Sequence, residues 1–446
     1  MPDMGKTGLL VAALLAGAVA AKADTAAEYD VTVIGAGTAG TVAALQSARA
    51  GARTLLVEQG FQPGGNMTTG GVNFPGLFHA WGRQVIDGVG YELVTNAVAL
   101  AGGTLPDFAA DPGRRHWLHQ IKVPIPLYVL LAEEAFTRAG VAVRYHAAPK
   151  AVVPDGAGWR VVLSEMGEER TFRTKTLIDC TGNAAVVALV GAERMRGERT
   201  SPGSFAYSLD THGAVSAEDF AAAERAFAQA VASGELLPTD KRQPLRTYLG
   251  HSRSMSVANY VEGADNSTAE RRTDANRRGR AAVLRMYRFL RRQKGFEKLE
   301  LTAIAAETGV RETYRAKGDY VLTHDDYVSG RIFPDSLCYA FYPIDLHDVK
   351  TGVQPKHLAR GTVASVPLRA LTVAGTRNLL VAGRCVSSDR LANTALRVEA
   401  TCMATGQVAG EAAALAAARG CEVREVPVAE LGARLARTGA IVPMKK

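Results

Sequence analysis

The chain has 446 residues, of which 47% are hydrophobic and 22% charged, close to the averages of folded globular proteins. That length allows two or three domains, and that balance excludes a disordered chain, a collagen-like repeat and a multi-span membrane protein. The formal net charge is +8, and glycine is abundant at 45 residues, much of it in short clusters that mark turns or close backbone approaches.

The amino terminus reads as an export signal. Lys6 precedes an apolar run from Gly8 to Ala21, with small residues at Ala18-Val19-Ala20 and Ala21-Lys22-Ala23. The run is short for a bilayer span and fits a peptide cleaved after Ala23, which predicts an exported, periplasmic protein with no stable membrane span. No twin-arginine pair is present, so a cofactor would be loaded after export. A start placed too early, and hence a cytoplasmic protein, is the alternative.

Tyr29 to Ile34 is a short β-branched strand, followed at once by Gly35-Ala36-Gly37-Thr38-Ala39-Gly40 and a small-residue helix from Thr41 to Ala50. A second strand, Thr54 to Val57, closes on Glu58. In a strand–turn–helix of this kind Gly35 makes the tight turn, Gly37 admits a pyrophosphate and Gly40 lets helix and strand approach. The N–H groups at Thr38 and Ala39 open the helix toward the phosphates. Glu58 is placed to accept hydrogen bonds from both ribose hydroxyls and would repel a 2′-phosphate, which argues against NADP. The flanking strand, helix and acid raise the glycine motif above a chance turn, although NAD and FAD both fit it.

Three later pieces favour FAD. Gln62 to Gly71 carries Gly64-Gly65-Asn66-Met67, a glycine pair able to run along a pyrophosphate toward an isoalloxazine ring. Thr176 to Gly182 is an apolar strand ending in Thr181-Gly182, and Asn378 to Arg384 is another, ending in Gly383-Arg384. Asn393-Thr394-Ala395-Leu396-Arg397 then opens a predicted helix through Ala417.

Between these pieces, Arg271 to Lys298 is a strongly basic stretch with Ala281, Val283, Leu284, Met286, Tyr287 and Leu290 at helical spacing. It reads as an amphipathic helix with a solvated face, or one that meets an anionic substrate or membrane surface. Nucleic-acid binding is not expected, because no aromatic platform accompanies the charge. The five cysteines are odd in number and widely spaced, with no C-x-x-C pair, so neither a zinc site nor a redox disulfide of that type is encoded. His116 and His119 have a metal-like spacing without a third ligand, and no metal is expected.

In this order the pieces resemble the glutathione-reductase-like FAD superfamily, in the branch with fumarate reductase flavoproteins. The chain is similar to an FAD-dependent oxidoreductase family through Gly309-Val310-Arg311-Glu312-Thr313, Tyr342-Pro343-Ile344-Asp345-Leu346-His347, and Val366 to Arg369 through Thr401 to Gln407. The resemblance covers about residues 29–418 and implies an α/β fold, a Rossmann-like FAD-binding domain with an inserted α+β substrate domain. The FAD domain would be split over 27–75, 120–200 and 365–420, with insertions at 76–119 and 201–364 and a tail at 421–446. Val141 to Tyr145 and the segment to Pro149 would pass the adenine. The final helix would aim its N-terminus, near Thr394 and Ala395, at the flavin pyrimidine edge.

The expected activity is that of a dehydrogenase or oxidase moving a hydride between a small polar substrate and FAD. A second good glycine motif is absent, so oxygen, a quinone or a redox partner is expected as the other electron carrier. The alternatives are a flavin monooxygenase or halogenase, or a non-catalytic electron-transfer flavoprotein. Arg311 is the candidate clamp for a carboxylate or oxyanion, or else a buried ion pair with Glu312. His347 is the candidate base, oriented by Asp345 or Asp348, or else an ordinary core histidine. Arg397 faces flavin or substrate, or solvent. His79 can lie beside the ring, where covalent attachment is conceivable.

Overall fold

The computed structural model describes residues 27–110, 115–245, 255–349 and 352–443. The segment read as an export signal lies outside them.

The main sheet has seven strands built around Ala27–Ile34. Thr54–Val57 pairs with it in parallel on one side and is flanked in turn by Ala142–Arg144. On the other side lies the long strand Glu168–Asp179, whose second edge is shared by the parallel strand Leu379–Val381 and the antiparallel strand Gly158–Glu165. Ala147–Asp155 completes that three-stranded meander. The central strands are buried on both faces, as Thr54–Val57 is throughout, which is why they read as continuous apolar runs rather than alternating ones. Their register aligns Ile34 with Val57 and Asp179, and Asp179 with Val381. Arg144 lies opposite Val57, so five parallel strands end at one edge, where open α/β sheets bind their ligands.

The helix Thr38–Arg49 lies against the long helix Glu399–Arg419, whose residues are buried from Glu399 to Ala417. Glycines make that contact possible. A Cβ on Gly406 would sit 2.2 Å from the Ala39 carbonyl oxygen, and one on Gly410 would sit 2.4 Å from that of Ala43. Gln46 and Glu411 seal the interface with a buried 2.6 Å hydrogen bond. The expected continuous helix from Asn393 to Ala417 is instead two, Arg390–Leu396 and Glu399–Arg419, separated by Arg397 and an extended Val398. Tertiary contacts make the break: the Ala400 N–H donates to the Pro75 carbonyl at 2.8 Å, and Gly76 leaves room for the Val398 side chain.

A second core surrounds a three-stranded antiparallel sheet, with Gly203–Asp210 between Met255–Val261 and Glu300–Ile304. Phe205, Phe220, Phe227, Phe289 and Phe296 fill it. The basic stretch forms the helix Ala269–Leu290, N-capped by Thr268. Its buried face is Ala275, Gly279, Ala282, Val283, Met286, Phe289 and Leu290, a cleaner helical stripe than the sequence pattern, since Leu284 is exposed. Gly309 exchanges two backbone hydrogen bonds with Ser204, of 2.8 and 2.9 Å, and so ties the Arg311 segment to this sheet. No helix among the described residues is long and apolar enough to cross a membrane.

Candidate active site: a glycine-walled cavity with a cationic end

A cavity of about 470 Å³ opens at the carboxyl edge of the main sheet. Gly35, Gly37, Thr38, Ala39, Glu58, Gly65, Asn66, Thr181, Gly182, Gly383 and Arg384 all line it, as do Arg311 and Arg397. Sequence segments separated by more than 300 residues thus converge on one surface.

At Gly35 the wall is built by backbone that only glycine tolerates. Gly35 has φ +98°, and a Cβ there would lie 2.6 Å from the Cys180 carbonyl oxygen. Gly37 differs: a Cβ would meet no protein atom within 4 Å and would project into open space. The helix Thr38–Arg49 begins there with no side-chain cap and no acid in its first turn, so its first N–H groups have no intrahelical partner. That arrangement suits a pyrophosphate. Gly40 does not line the cavity; it packs on the Gly35 carbonyl and brings helix to turn.

Glu58 is held rather than free. Its Oε2 accepts from the Ala36 N–H at 2.6 Å and its Oε1 from the Gly60 N–H at 2.7 Å. Burial pushes its carboxyl upward and these bonds oppose the shift. The remaining lone pairs on each oxygen are available to ribose hydroxyls. Gly64 bonds to the Ala36 carbonyl at 2.7 Å, which draws Gly65 beside Gly37. Met67 is fully buried behind this loop, and the Asn66 amide reaches the Val310 carbonyl at 3.0 Å.

The far end of the cavity is cationic. Arg384 donates from Nε to the Gly182 carbonyl at 2.8 Å, from Nη2 to the Asn183 and Asn266 side chains, and from Nη1 to the Val310 carbonyl. Arg311 donates to the Pro202 carbonyl and, at 2.9 Å, to the Ser204 hydroxyl. All these acceptors are neutral. Burial lowers Arg311 to about 9, helped by Arg242 and Arg397, and lowers Arg384 to about 10. Glu312, the expected alternative partner of Arg311, instead binds Arg390 at 3.1 Å. Two buried guanidiniums held mainly by neutral groups leave positive potential for a bound anion.

Asp345 is the counter-charge at this end. Arg397, placed by the turn between the two helices, reaches the Asp345 carboxylate at 3.4 Å, and His347 Nε2 lies 2.9 Å from the same oxygen. Burial opposes ionisation of Asp345, but the His347 hydrogen bond and the fields of Arg397 and Arg311 outweigh it and hold the carboxyl below its ordinary range. Burial lowers His347 to about 4 against the pull of Asp345, so the imidazole is neutral. With Nε2–H donated to Asp345, Nδ1 accepts from the Tyr260 hydroxyl at 3.1 Å. Neither His347 nor Tyr260 lines the cavity; both stand behind its wall, with the Tyr260 ring under the cavity-lining Arg311 guanidinium at 5.8 Å.

Thr394 and Ala395 are buried but do not line the cavity. The long helix begins at Glu399, so its N-terminus, not theirs, faces the site. Thr394 accepts from the Asp345 N–H at 3.2 Å and supports the acid instead. His79 also lies outside this cavity, in a second chamber. Several lining residues escaped sequence reasoning, Arg272, Glu399 and Cys402 among them. Arg272 comes from the basic helix and pairs with Glu307. Glu399 and Cys402 come from the first turn of the long helix. Glu399 is only 9% exposed, its Oε2 has no hydrogen-bond partner, and burial raises its carboxyl well above the ordinary value. All five cysteines are free, and the described residues contain no group able to hold a metal ion.

The parallel sheet, the glycine turn at its carboxyl edge and the ribose-facing acid define a dinucleotide-binding protein, and the cavity that continues past the phosphates to a cationic end fits a flavin dinucleotide. The chain belongs to the FAD dependent oxidoreductase family, whose model matches residues 30–435. FAD is its cofactor. Among solved structures it is similar to a geranylgeranyl bacteriochlorophyll reductase-like protein from Thermoplasma acidophilum, at 11% identity over 93% of this chain and 84% of that one, with a TM-score of 0.44. It is also similar to a p-nitrophenol 4-monooxygenase from Pseudomonas putida, at 12% identity over 92% and 84%, with a TM-score of 0.42. A third is an anhydrotetracycline hydroxylase from Streptomyces rimosus, at 13% identity over 92% and 66%, with a TM-score of 0.44.

Proposed function

We propose that the enzyme moves a hydride between a small polar substrate and FAD, with oxygen, a quinone or a redox partner as the other electron carrier. The observation that carries this reading is the convergence of Arg311 and Arg397 on the cavity, backed by Asp345 and His347. Bound FAD supplies the hydride chemistry; the glycine turn, Glu58, Gly64 to Met67, Thr181 and Gly182, and Gly383 and Arg384 would hold it. Arg311 clamps a carboxylate or developing oxyanion of the substrate by two hydrogen bonds. Arg397 adds charge and fixes Asp345. Asp345 orients His347, and His347 takes a proton through the Tyr260 hydroxyl, a general-base contribution of about 10²-fold or more.

Anaerobic mixing of the holoenzyme with a panel of hydroxy acids, amino acids and polyols, followed by the visible flavin band, tests this. Bleaching by a substrate alone, with half-saturation raised about tenfold or more by Arg311→Lys, is the expected result. A protein whose flavin is bleached only by NAD(P)H is instead a monooxygenase or halogenase. One bleached by a partner protein, indifferent to Arg311→Lys, is an electron carrier.

A further inference from the structure

A second chamber, of about 140 Å³ and partly open to solvent, lies beside the flavin cavity and shares no lining residue with it. Gly76, Tyr342 and Val398 pack together between the two: Val398 joins Arg397 to Glu399, and Tyr342 precedes Pro343, which lines the chamber. Its walls are mostly apolar and aromatic. Trp81 and Phe341 meet edge to face at 5.4 Å, and Leu77, Pro343 and Leu358 complete that side.

Set into these walls are imidazoles from two separate segments. His119 is 6% exposed, and its Nε2 has no hydrogen-bond partner among the described residues. His79 Nδ1 is likewise buried without a partner, and its ring is stacked flat on Phe108 at 3.7 Å. Orphaned buried nitrogens of this kind cost free energy unless a ligand or ordered water satisfies them. Burial, with a further contribution from His119, lowers His79 to about 4, so its imidazole is uncharged at neutral pH. His116, His357 and Arg360, the one charged residue among the described lining residues, also border the chamber and make contacts of their own. No set of three ligands here suits a metal among the described residues.

Size and wall chemistry together select the ligand. A cavity of roughly 150 Å³ accommodates one benzene ring, so this chamber is large enough for a single six-membered ring. Aromatic walls favour a planar ring face. A neutral imidazole nitrogen can accept from a hydroxyl or donate to it, but offers no counter-charge to a carboxylate. We propose that this chamber is a binding site for a single-ring phenol, its hydroxyl held between His79 and His119.

Calorimetric titration of the holoprotein with phenol, toluene and benzoate tests the assignment without a variant. Saturable binding of one phenol per chain is expected, about tenfold or more tighter than toluene, the gain of one or two hydrogen bonds to otherwise orphaned nitrogens. His119→Phe should abolish the advantage of phenol over toluene while leaving the visible flavin spectrum unchanged, and titration of Trp81 fluorescence should report the same constant as calorimetry. Equal affinity for toluene and phenol, tighter binding of benzoate, no saturable binding of phenol, or a phenol preference that survives His119→Phe would each overturn the proposal. Because none of these readouts needs turnover, they stand apart from the fate of the hydride-transfer reading.

Discussion

His347 Nε2 lies 2.9 Å from Asp345 Oδ2, and that contact fixes which nitrogen of the imidazole can do chemistry. Asp345 is kept ionised by Arg397 and Arg311 as well, so it holds the Nε2 proton and leaves the Nδ1 lone pair for Tyr260. Because burial lowers His347 to about 4, a base at this position stays neutral across the physiological range. The acid limb of kcat/KM is therefore expected near pH 4 and not near the ordinary histidine value of about 6.5. Stability should follow the same sign. The folded pKa is below the unfolded one, so the contribution of His347 is complete above about pH 6.5 and is lost as the pH falls toward 4. A pH–rate profile with its acid limb at about 6.5 would show that His347 is not the group that titrates. His347→Gln should lower kcat by about 10²-fold or more with flavin content unchanged.

Two glycines of one turn should respond in opposite ways. Gly37→Ala places a methyl in open cavity, with no protein atom within 4 Å of it. The fold should survive and cofactor affinity should fall, read as a lower FAD-to-protein ratio after gel filtration. Gly35→Ala forces a Cβ to 2.6 Å from the Cys180 carbonyl at φ +98°. That change should destabilise the fold itself by about 1–3 kcal/mol, visible in thermal unfolding of the apoprotein. Equal loss of stability in both variants would mean that Gly37 serves the fold and not the phosphates.

Glu399 sets a second pH dependence, of the other sign. Burial raises its folded pKa well above the ordinary 4.5, so the unfolded chain gives up its proton first as the pH rises. Stability from this group is present below about pH 4.5 and is lost as the pH climbs through the folded value. Glu399→Gln keeps the shape and removes the ionisation. The variant should gain on the wild type in thermal midpoint at pH 8, and the gap should shrink at pH 5. A gap independent of pH would place the Glu399 carboxylate in a better-solvated setting than the buried one seen here.

The part of this site that was legible in the sequence is the part that is local. Gly35, Gly37, Gly40 and Glu58 fall within a strand–turn–helix–strand unit whose backbone geometry is set by near neighbours, so spacing alone specifies their tasks. Arg311, Arg384 and Arg397 could be picked out by segment resemblance, but their shared cationic end depends on contacts across as many as 200 residues, such as Arg384 with Gly182. The break at Arg397 and Val398 was invisible because neither residue is a helix breaker; Pro75 and Gly76, far earlier in the chain, create it. Gly406 and Gly410 read as weak points in a helix, whereas they are where the backbone of Ala39 and Ala43 must fit. Arg272 was hidden in a run of similar charges. His79 drew notice as a flavin neighbour, yet its ring belongs to the chamber it shares with His119.

The visible absorption spectrum of the purified protein, repeated on supernatant and pellet after acid precipitation, tests the central claim most directly. One FAD per chain, released entirely into the supernatant, is expected, because no histidine or tyrosine among the described residues lines the cavity and its two cysteines, Cys180 and Cys402, are strongly buried. A colourless protein that cannot be reconstituted with added FAD would contradict it, and colour retained in the pellet would contradict the cavity assignment.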